Sequence, residues 1–291
     1  MSISGQNLSI VIVTLKSEKV IHQCIKSINK NIPIIVIENS DNSEFKANLE
    51  ANYINVKCIL SKENLGMGAG NNIGIKSAET DYVFIINPDV TLENNTLDEL
   101  FLASKLLSDF SIISPVSSNI DFPNYGMFKK KKIFNEKNRP FQVDYVDGYA
   151  MLFNKKKFRN NFYFDENFFL YMENNDLCMR VINDGGSIFV APKAKINHTG
   201  GNTVDSRFIE EIEFSRNWHW IWSKFYFNKK HFGLLRAIKV CILTYFSSLL
   251  KFSFFLIIRN HFKKKIYFNR ASGFYNALLG RASWYRPNLK D

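Results

Sequence analysis

Tyr82-Val83-Phe84-Ile85-Ile86-Asn87-Pro88-Asp89 is the stretch on which the fold of this chain turns. Five consecutive apolar or aromatic residues, several of them β-favouring, predict a strand covered on both faces, as in the middle of a parallel sheet. Pro88 has no N–H to give to a ladder, so the strand ends there in a turn. Asp89 then stands at the carboxyl end of a buried strand, and in open α/β sheets the ligand crevice lies just outside those ends. A carboxylate in that place is suited to holding a metal and a diphosphate. For the tripeptide alone a plainer reading stays open, because Asn, Pro and Asp also serve turns through their backbone preferences.

The same pattern repeats on either side. Leu8 to Thr14, Ile32 to Ile37 and Val56 to Leu60 are short apolar runs, separated by stretches with helical character such as Lys19 to Asn29 and Asn71 to Ser77. This β-α alternation predicts a mainly parallel sheet with helices on its faces, which the runs Ser111 to Ile113 and Ser187 to Val190 extend. Between them, Asp121 to Pro140 is basic, aperiodic and rich in Phe and Asn. It reads as a long loop, and such a loop in a compact domain is a candidate lid over a site.

Composition limits the function classes. The chain has 291 residues, enough to bury a full core, and its 46% hydrophobic content excludes general disorder. A formal net charge of +11 predicts attraction to anions: nucleic acid, anionic lipid or a phosphorylated substrate. The basic residues clump at Lys129 to Lys132, Lys155 to Lys157, Lys229-Lys230 and Lys263 to Lys265, two of these clumps lying in or beside the aromatic-rich last third. That arrangement favours a membrane surface over nucleic acid, for which there is no helix-turn-helix, zinc-ligand or aromatic RNA-binding signature. Cys24, Cys58, Cys178 and Cys241 are far apart, so neither a zinc knuckle nor a disulfide framework is indicated and a reducing cytosol is the default. Met1 to Leu8 is polar and lacks the basic and apolar regions of a secretory signal, so the protein is expected to stay where it is made.

The chain changes character near Phe214. Trp218, Trp220 and Trp222 with Phe225, Tyr226 and Phe227 precede Lys229-Lys230, a combination found at the headgroup level of a bilayer. Leu234 to Ile258 is long enough to span, but Arg236, Lys239 and Lys251 interrupt it, and the longest charge-free stretch is Val240 to Leu250. On a helical projection Arg236, Lys239, Thr244, Ser247, Ser248 and Lys251 share roughly half the circumference, leaving the other half apolar. An interfacial helix is expected, with a helix packed on the protein's own core as the alternative.

Four features fall at predicted strand ends and should border one crevice. They are Thr14, then Glu38-Asn39-Ser40-Asp41, then the loop Asn64 to Asn72 with Gly66, Gly68 and Gly70, and finally Asn87-Pro88-Asp89. Glu38 is placed to accept from a base imide or a ribose hydroxyl, the glycines permit close approach of backbone to a ligand, and Asp89 can bind a hard divalent cation. Turn and cap roles are the duller alternatives for Glu38 to Asp41. Gly66-x-Gly68-x-Gly70 does not match the dinucleotide fingerprint in spacing or in position, so a dehydrogenase is not expected. Downstream, Glu173 and Asp176 are three apart and would share a helix face. Either can act as general base toward an acceptor hydroxyl, although acidity at a helix start also complements the dipole. His198, beyond the last strand, is a candidate second ligand for the metal on Asp89.

In this order the segments resemble the family 2 glycosyltransferases of GT-A fold, in particular the rhamnosyltransferase-like branch that builds bacterial surface polysaccharides. The resemblance runs from Ile10-Val11-Ile12-Val13-Thr14 to about Gly201, with further familiar stretches at Arg216 to Gly233 and Gly273 to Pro287. It implies an α/β GT-A domain over residues 1–213 and a helical, aromatic and basic membrane-associating region over 214–291. It further implies that Glu38 contacts the nucleotide base, that Asn64, Gly66, Asn71 and Asn87 flank the nucleotide, that Asp89 is the metal carboxylate of a degenerate D-x-D motif, that His198 approaches the metal or diphosphate, and that Gly148 lies on the acceptor side. Three departures stand out: Glu38 where Asp is usual, Asn87 for the first carboxylate of D-x-D, and Asn174 where the family commonly places its base.

The function so implied is an inverting transferase using Mn2+ or Mg2+. It would move a sugar, with rhamnose the candidate, from a nucleoside diphosphate to a lipid-linked glycan at an anionic, cytoplasmic membrane face. A sugar nucleotidyltransferase is one alternative, disfavoured because this chain has no Arg/Lys-rich glycine loop after the first strand to cradle a triphosphate. A catalytically inactive nucleotide-sugar or glycan-binding subunit, motivated by Asn174, is the other.

Overall fold

The computed structural model describes residues 7–107, 109–119, 123–128, 138–200 and 206–289. They form two compact units, one of Met1–Asp165 with Asn174–Val204, the other of Glu166–Glu173 with Asp205–Asp291.

The first unit opens with β1 (Leu8–Thr14), α1 (Ile21–Lys26), β2 (Ile34–Glu38), α2 (Ser43–Asn52), β3 (Val56–Leu60), α3 (Met67–Ser77) and β4 (Tyr82–Ile86). The first, third and fourth of these strands coincide with the apolar runs, because a run buried on both faces has to stop where polar turn chemistry begins. The cap after β2 comes from Asn42, just past the expected Glu38 to Asp41 segment; its side chain accepts from the Phe45 N–H at 2.9 Å.

α3 starts at Met67, four residues earlier than the helical stretch expected from Asn71, and so takes three glycines into its interior. Packing explains them. A Cβ on Gly74 would lie 2.3 Å from Val11 Cγ1, and one on Gly70 would lie 2.8 Å from Val13 Cγ1, so both glycines let the helix lie directly on β1. Gly66, with φ of 83°, makes the left-handed entry to the helix. Gly74→Ala should therefore destabilise the protein by roughly 1–3 kcal/mol through overpacking, which urea unfolding would measure; an unchanged midpoint would mean that the helix can lift from the sheet freely.

The unit continues with β5 (Val90–Leu92), α4 (Thr96–Leu106), β6 (Ile112–Ser117), β7 (Tyr125–Gly126), β8 (Phe141–Val143), β9 (Tyr145–Val146), β10 (Ala150–Asn154), α5 (Glu173–Asn183) and β11 (Ile188–His198). Among the described residues the main sheet runs β3-β2-β1-β4-β10-β6-β11-β5, with β8 added beside β11. β3, β2, β1 and β4 are mutually parallel, as are β6 and β11, while β10 is inserted antiparallel between the two groups. The order reverses at β1, which places a crevice beyond the carboxyl ends of β1, β2 and β4. One core lies on each face of the sheet, one including Ile10, Ile12 and Phe84, the other Val11, Val13 and Ile85. Within the expected loop Asp121 to Pro140, β7 pairs with β9 in a small second sheet. Most of the stretch read as a lid, 121–122 and 129–137, lies outside the described residues, and so do Lys129 to Lys132.

The second unit contains α6 (Ile209–Phe232), α7 (Leu234–Ile257) and α8 (His261–Leu278). The position between residues 213 and 214, where composition changes, falls inside α6. Trp218, Trp222 and Phe225, at helical spacing, are at most 3% exposed and pack with Ala237, Cys241 and Phe274. The aromatic cluster expected at headgroup level is thus mainly the core of the helical unit, and of its three tryptophans only Trp220 is substantially exposed. Gly273 permits this packing, since a Cβ there would come within 2.3 Å of the Trp218 carbonyl oxygen. α7 meets this core with small residues, Ala237, Cys241 and Ser248, while Leu235, Leu243, Phe246, Leu250, Phe254 and Ile257 are exposed. It is continuous over 24 residues and, by length and composition, long and apolar enough to cross a membrane. Arg236 and Lys239 sit near its start, which leaves only Lys251 within the rest of its length.

Candidate active site

Parallel pairing brings the predicted strand ends together. Thr14 is level with Glu38 in the β1–β2 register, and Glu38 with Leu60 in the β2–β3 register. The Glu38 carboxylate is 1% exposed. It accepts from the Thr14 hydroxyl, from the Ser40 hydroxyl, and from the Ser40 N–H at 2.7 Å. Burial raises its pKa, against the lowering effect of the hydrogen bonds from Ser40 and Thr14. Thr14 and Glu38 therefore act as one hydrogen-bonded pair at the floor of the crevice.

The Asn64 to Asn72 loop is partly helix. The Asn64 Oδ1 accepts from the Gly66 N–H at 3.1 Å, which fixes the turn into α3. Asn72 is committed to structure: its amide exchanges two hydrogen bonds, each 2.9 Å, with the Phe164 backbone. Asn71, 4% exposed, makes no side-chain hydrogen bond among the described residues and keeps its amide available.

Asn87-Pro88-Asp89 forms the turn from β4 to β5. The Asn87 N–H donates to the Tyr149 carbonyl at 3.0 Å, and the Val90 N–H donates to the Asn87 carbonyl at 3.1 Å. β5 pairs antiparallel with the end of β11, setting Val90 opposite His198. This register brings His198 Nε2 to 3.4 Å from Asp89 Oδ2. The Asp89 side chain is 1% exposed, and its Oδ1 is buried without a hydrogen-bond partner. A buried carboxylate oxygen normally has a partner, so the orphan marks a position for a ligand. Among the described residues no group of three or more His, Cys, Asp and Glu side chains could hold a metal ion. What is present is a two-residue donor pair of hard carboxylate and imidazole.

The His198 ring stacks on Tyr149 with centroids 4.0 Å apart. Both line a cavity of about 420 Å³ with Ser117, Asp147 and Thr199. Asp147 was not among the residues singled out from the sequence. Its carboxyl is held above the ordinary range by burial, with His198 acting in the opposite direction. The only sequence signal for it was its position next to Gly148. At Gly148 itself, a Cβ would approach Asn174 Cβ at 3.3 Å, so this glycine admits the first turn of α5. Asn174 in turn donates to the Val146 carbonyl at 3.1 Å.

The two candidate bases differ sharply. Asp176 is fully buried and takes a 2.8 Å ion pair from Arg180 Nε, while the Arg180 guanidinium also donates to the Tyr163 carbonyl. Glu173 has a buried Oε2 without a hydrogen-bond partner, and burial lifts its pKa to about 7. Glu173 is grouped with the second unit and Asp176 with the first.

A mainly parallel mixed sheet with a strand-end crevice, flanked by helices and followed by a helical region, defines a protein of GT-A fold. Solved structures of that fold agree. Staphylococcus aureus TarS (residues 1–349) matches with a TM-score of 0.54 and 17% identity over 98% of this chain and 94% of its own. The mannosyltransferase PcManGT of Pyrobaculum calidifontis, solved with GDP-Man and Mn2+, matches with a TM-score of 0.56 and 11% identity over 94% and 87%. The glycosyl transferase family 2 model matches residues 9–162, more than half the chain, and the chain belongs to that family. The low-salt glycan biosynthesis hexosyltransferase Agl10 of Haloferax volcanii is 27% identical over 190 residues. That alignment covers 60% of this chain and 61% of Agl10.

Proposed function

We propose that this protein is an inverting glycosyltransferase that moves a hexose, with rhamnose the candidate, from a nucleoside diphosphate to a hydroxyl of a lipid-linked glycan in surface-polysaccharide synthesis. The observation that carries this reading is the buried, unpartnered Asp89 Oδ1 beside His198, at the point where the strand order reverses. A divalent cation suits that donor pair, hard oxygen with imidazole, and a diphosphate and water would complete its shell. When bound, such a cation, Mn2+ or Mg2+, neutralises charge on the departing diphosphate. Membership of the family and the metal and nucleotide sugar bound by PcManGT support the assignment.

The chain's own residues then have the following roles. Thr14 and Glu38 hold the base end of the nucleotide, with Asn64, Gly66, Asn71 and Asn87 along the nucleotide. Gly148 leaves room on the acceptor side. Glu173 takes the proton from the acceptor hydroxyl as that oxygen attacks the anomeric carbon, in a single displacement that inverts it. Asp176, committed to Arg180, orients the helix. Calorimetric binding of UDP, dTDP and GDP, with and without Mn2+, tests the reading. Metal-dependent binding of one nucleotide supports it, and failure of all three to bind would remove it.

The exposed large side chains of α7 support attachment to an anionic membrane at its cytoplasmic face, in the interface plane. α7 packs against both α6 and α8, and these carry Lys229-Lys230 and Lys263 to Lys265, charges too costly to draw into hydrocarbon. Leu243→Glu, Leu250→Glu and Phe254→Glu together should abolish sedimentation with vesicles containing anionic lipid while leaving the helix content unchanged. Undiminished sedimentation would rule out α7 as the attachment surface.

A further inference from the structure

From three cavities, we infer that the first unit carries an extended groove for an anionic acceptor glycan, leading from the reaction centre to Lys193 and Lys195 on β11. This inference rests on the glycosyltransferase reading and names the class of its acceptor. The inner cavity, next to Asp89, is the one lined by Asp147, Tyr149 and His198. It shares Ser117, Asn119 and Pro123 with a second cavity of about 620 Å³, lined beyond them by Tyr125, Lys193 and Lys195. The second shares Glu99, Pro192 and Lys193 with a third, of about 210 Å³, that reaches Lys105. The first two volumes each fall within the roughly 300–1,000 Å³ that small-ligand sites occupy, so a path with room for more than one sugar leaves the inner cavity.

The wall of this path is a built feature. β11 and β6 are in register at Val190 and Ser114, and again at Lys195 and Val116, so five residues of β11 cover the distance of two in β6. The extra residues bulge out of the ladder at Pro192, which has no N–H to give to it. Ala191 and Ala194 are buried, anchoring the bulge, whereas Lys193 is exposed and Lys195 half-buried. Neither lysine forms an ion pair among the described residues. Tyr125 offers a ring whose orientation is fixed by edge contact with Phe141, centroids 5.2 Å apart. In the outer two cavities Lys105, Lys193 and Lys195 face a single carboxylate, Glu99. Two unpaired cations beside an aromatic ring suit a sugar chain that carries carboxylate or phosphate groups.

The test is calorimetric titration with three probes: tetragalacturonate, a tetramer of glycerol phosphate, and neutral maltotetraose. Native protein should bind at least one charged probe at least about tenfold tighter than maltotetraose. The variant Lys193→Glu/Lys195→Glu should lose at least about tenfold of that affinity while keeping the native melting temperature and native nucleotide binding. Equal affinity of the variant and the native protein would overturn the groove. So would maltotetraose binding as tightly as the charged probes, or no binding of any probe at millimolar concentration. The tetragalacturonate and glycerol phosphate arms distinguish carboxylate from phosphate recognition. Failure of the nucleotide titration on the same samples would instead strike at the transferase reading, leaving the glycan titration to judge the groove separately.

Discussion

Asp89→Ala is expected to abolish metal-dependent nucleotide binding and to lower turnover by about two to three orders of magnitude, the usual effect of removing one preorganised group that stabilises developing charge. The side chain is 1% exposed and contributes no hydrogen bond through Oδ1, so its retention in the crevice has no packing explanation. Burying an unpaired carboxylate costs free energy unless something positive arrives. His198 lies 3.4 Å from the other oxygen and leaves Oδ1 without a partner, so a divalent cation is the natural counter-charge. Removing the carboxylate should also relieve that cost, so the variant should be at least as stable to heat as the native protein in the absence of metal. His198→Ala should weaken nucleotide binding less, because one donor of the pair remains. Calorimetry with and without Mn2+ decides the matter. Unchanged metal-dependent binding by Asp89→Ala would move the diphosphate elsewhere.

This aspartate was legible in the sequence because three local rules coincide at it: a strand buried on both faces, a proline that ends it, and a sheet in which ligands gather beyond strand ends. The four parallel strands and the crevice were legible for the same reason. His198 was legible as a residue type, but its proximity to Asp89 depends on the antiparallel register of β5 with β11, a long-range pairing that no local pattern encodes. The glycines of α3 misled in the opposite direction. Helix propensity argues against Gly70 and Gly74 inside a helix, and only the valines of β1 that they face explain them. The tryptophans of α6 look the same in sequence whether they face lipid or a neighbouring helix, since both environments reward apolar aromatic surface. Packing of α6 with α7 and α8 resolved that choice, and it turned the large residues of α7 outward instead. Asp147 was missed because nothing local distinguishes it from any loop aspartate; its cavity is assembled from the end of β6, the turn between β9 and β10, and the end of β11.

Glu173→Gln should lower kcat by about two to four orders of magnitude, the range supplied by a positioned general base, and should flatten the pH profile. With a pKa raised by burial to about 7, native Glu173 is half ionised near neutrality, so the native rate should rise with pH through a midpoint near 7. Stability should move in the opposite sense. A carboxyl whose folded pKa lies above its ordinary 4.5 favours the protonated folded state, so its contribution is complete below pH 4.5 and is lost as pH rises through about 7. Glu173→Gln should consequently melt higher than the native protein at pH 8 and close to it at pH 4. Asp176→Asn should instead destabilise the fold. It strands Arg180, which is paired to Asp176 at 2.8 Å, and breaking a buried pair in this way costs roughly 3–5 kcal/mol. Its residual folded fraction should nevertheless keep a pH midpoint near 7. If instead Asp176→Asn remains as stable as the native protein but inactive, while Glu173→Gln turns over normally, the proton goes to Asp176 and Glu173 is only a buried acid at the head of α5.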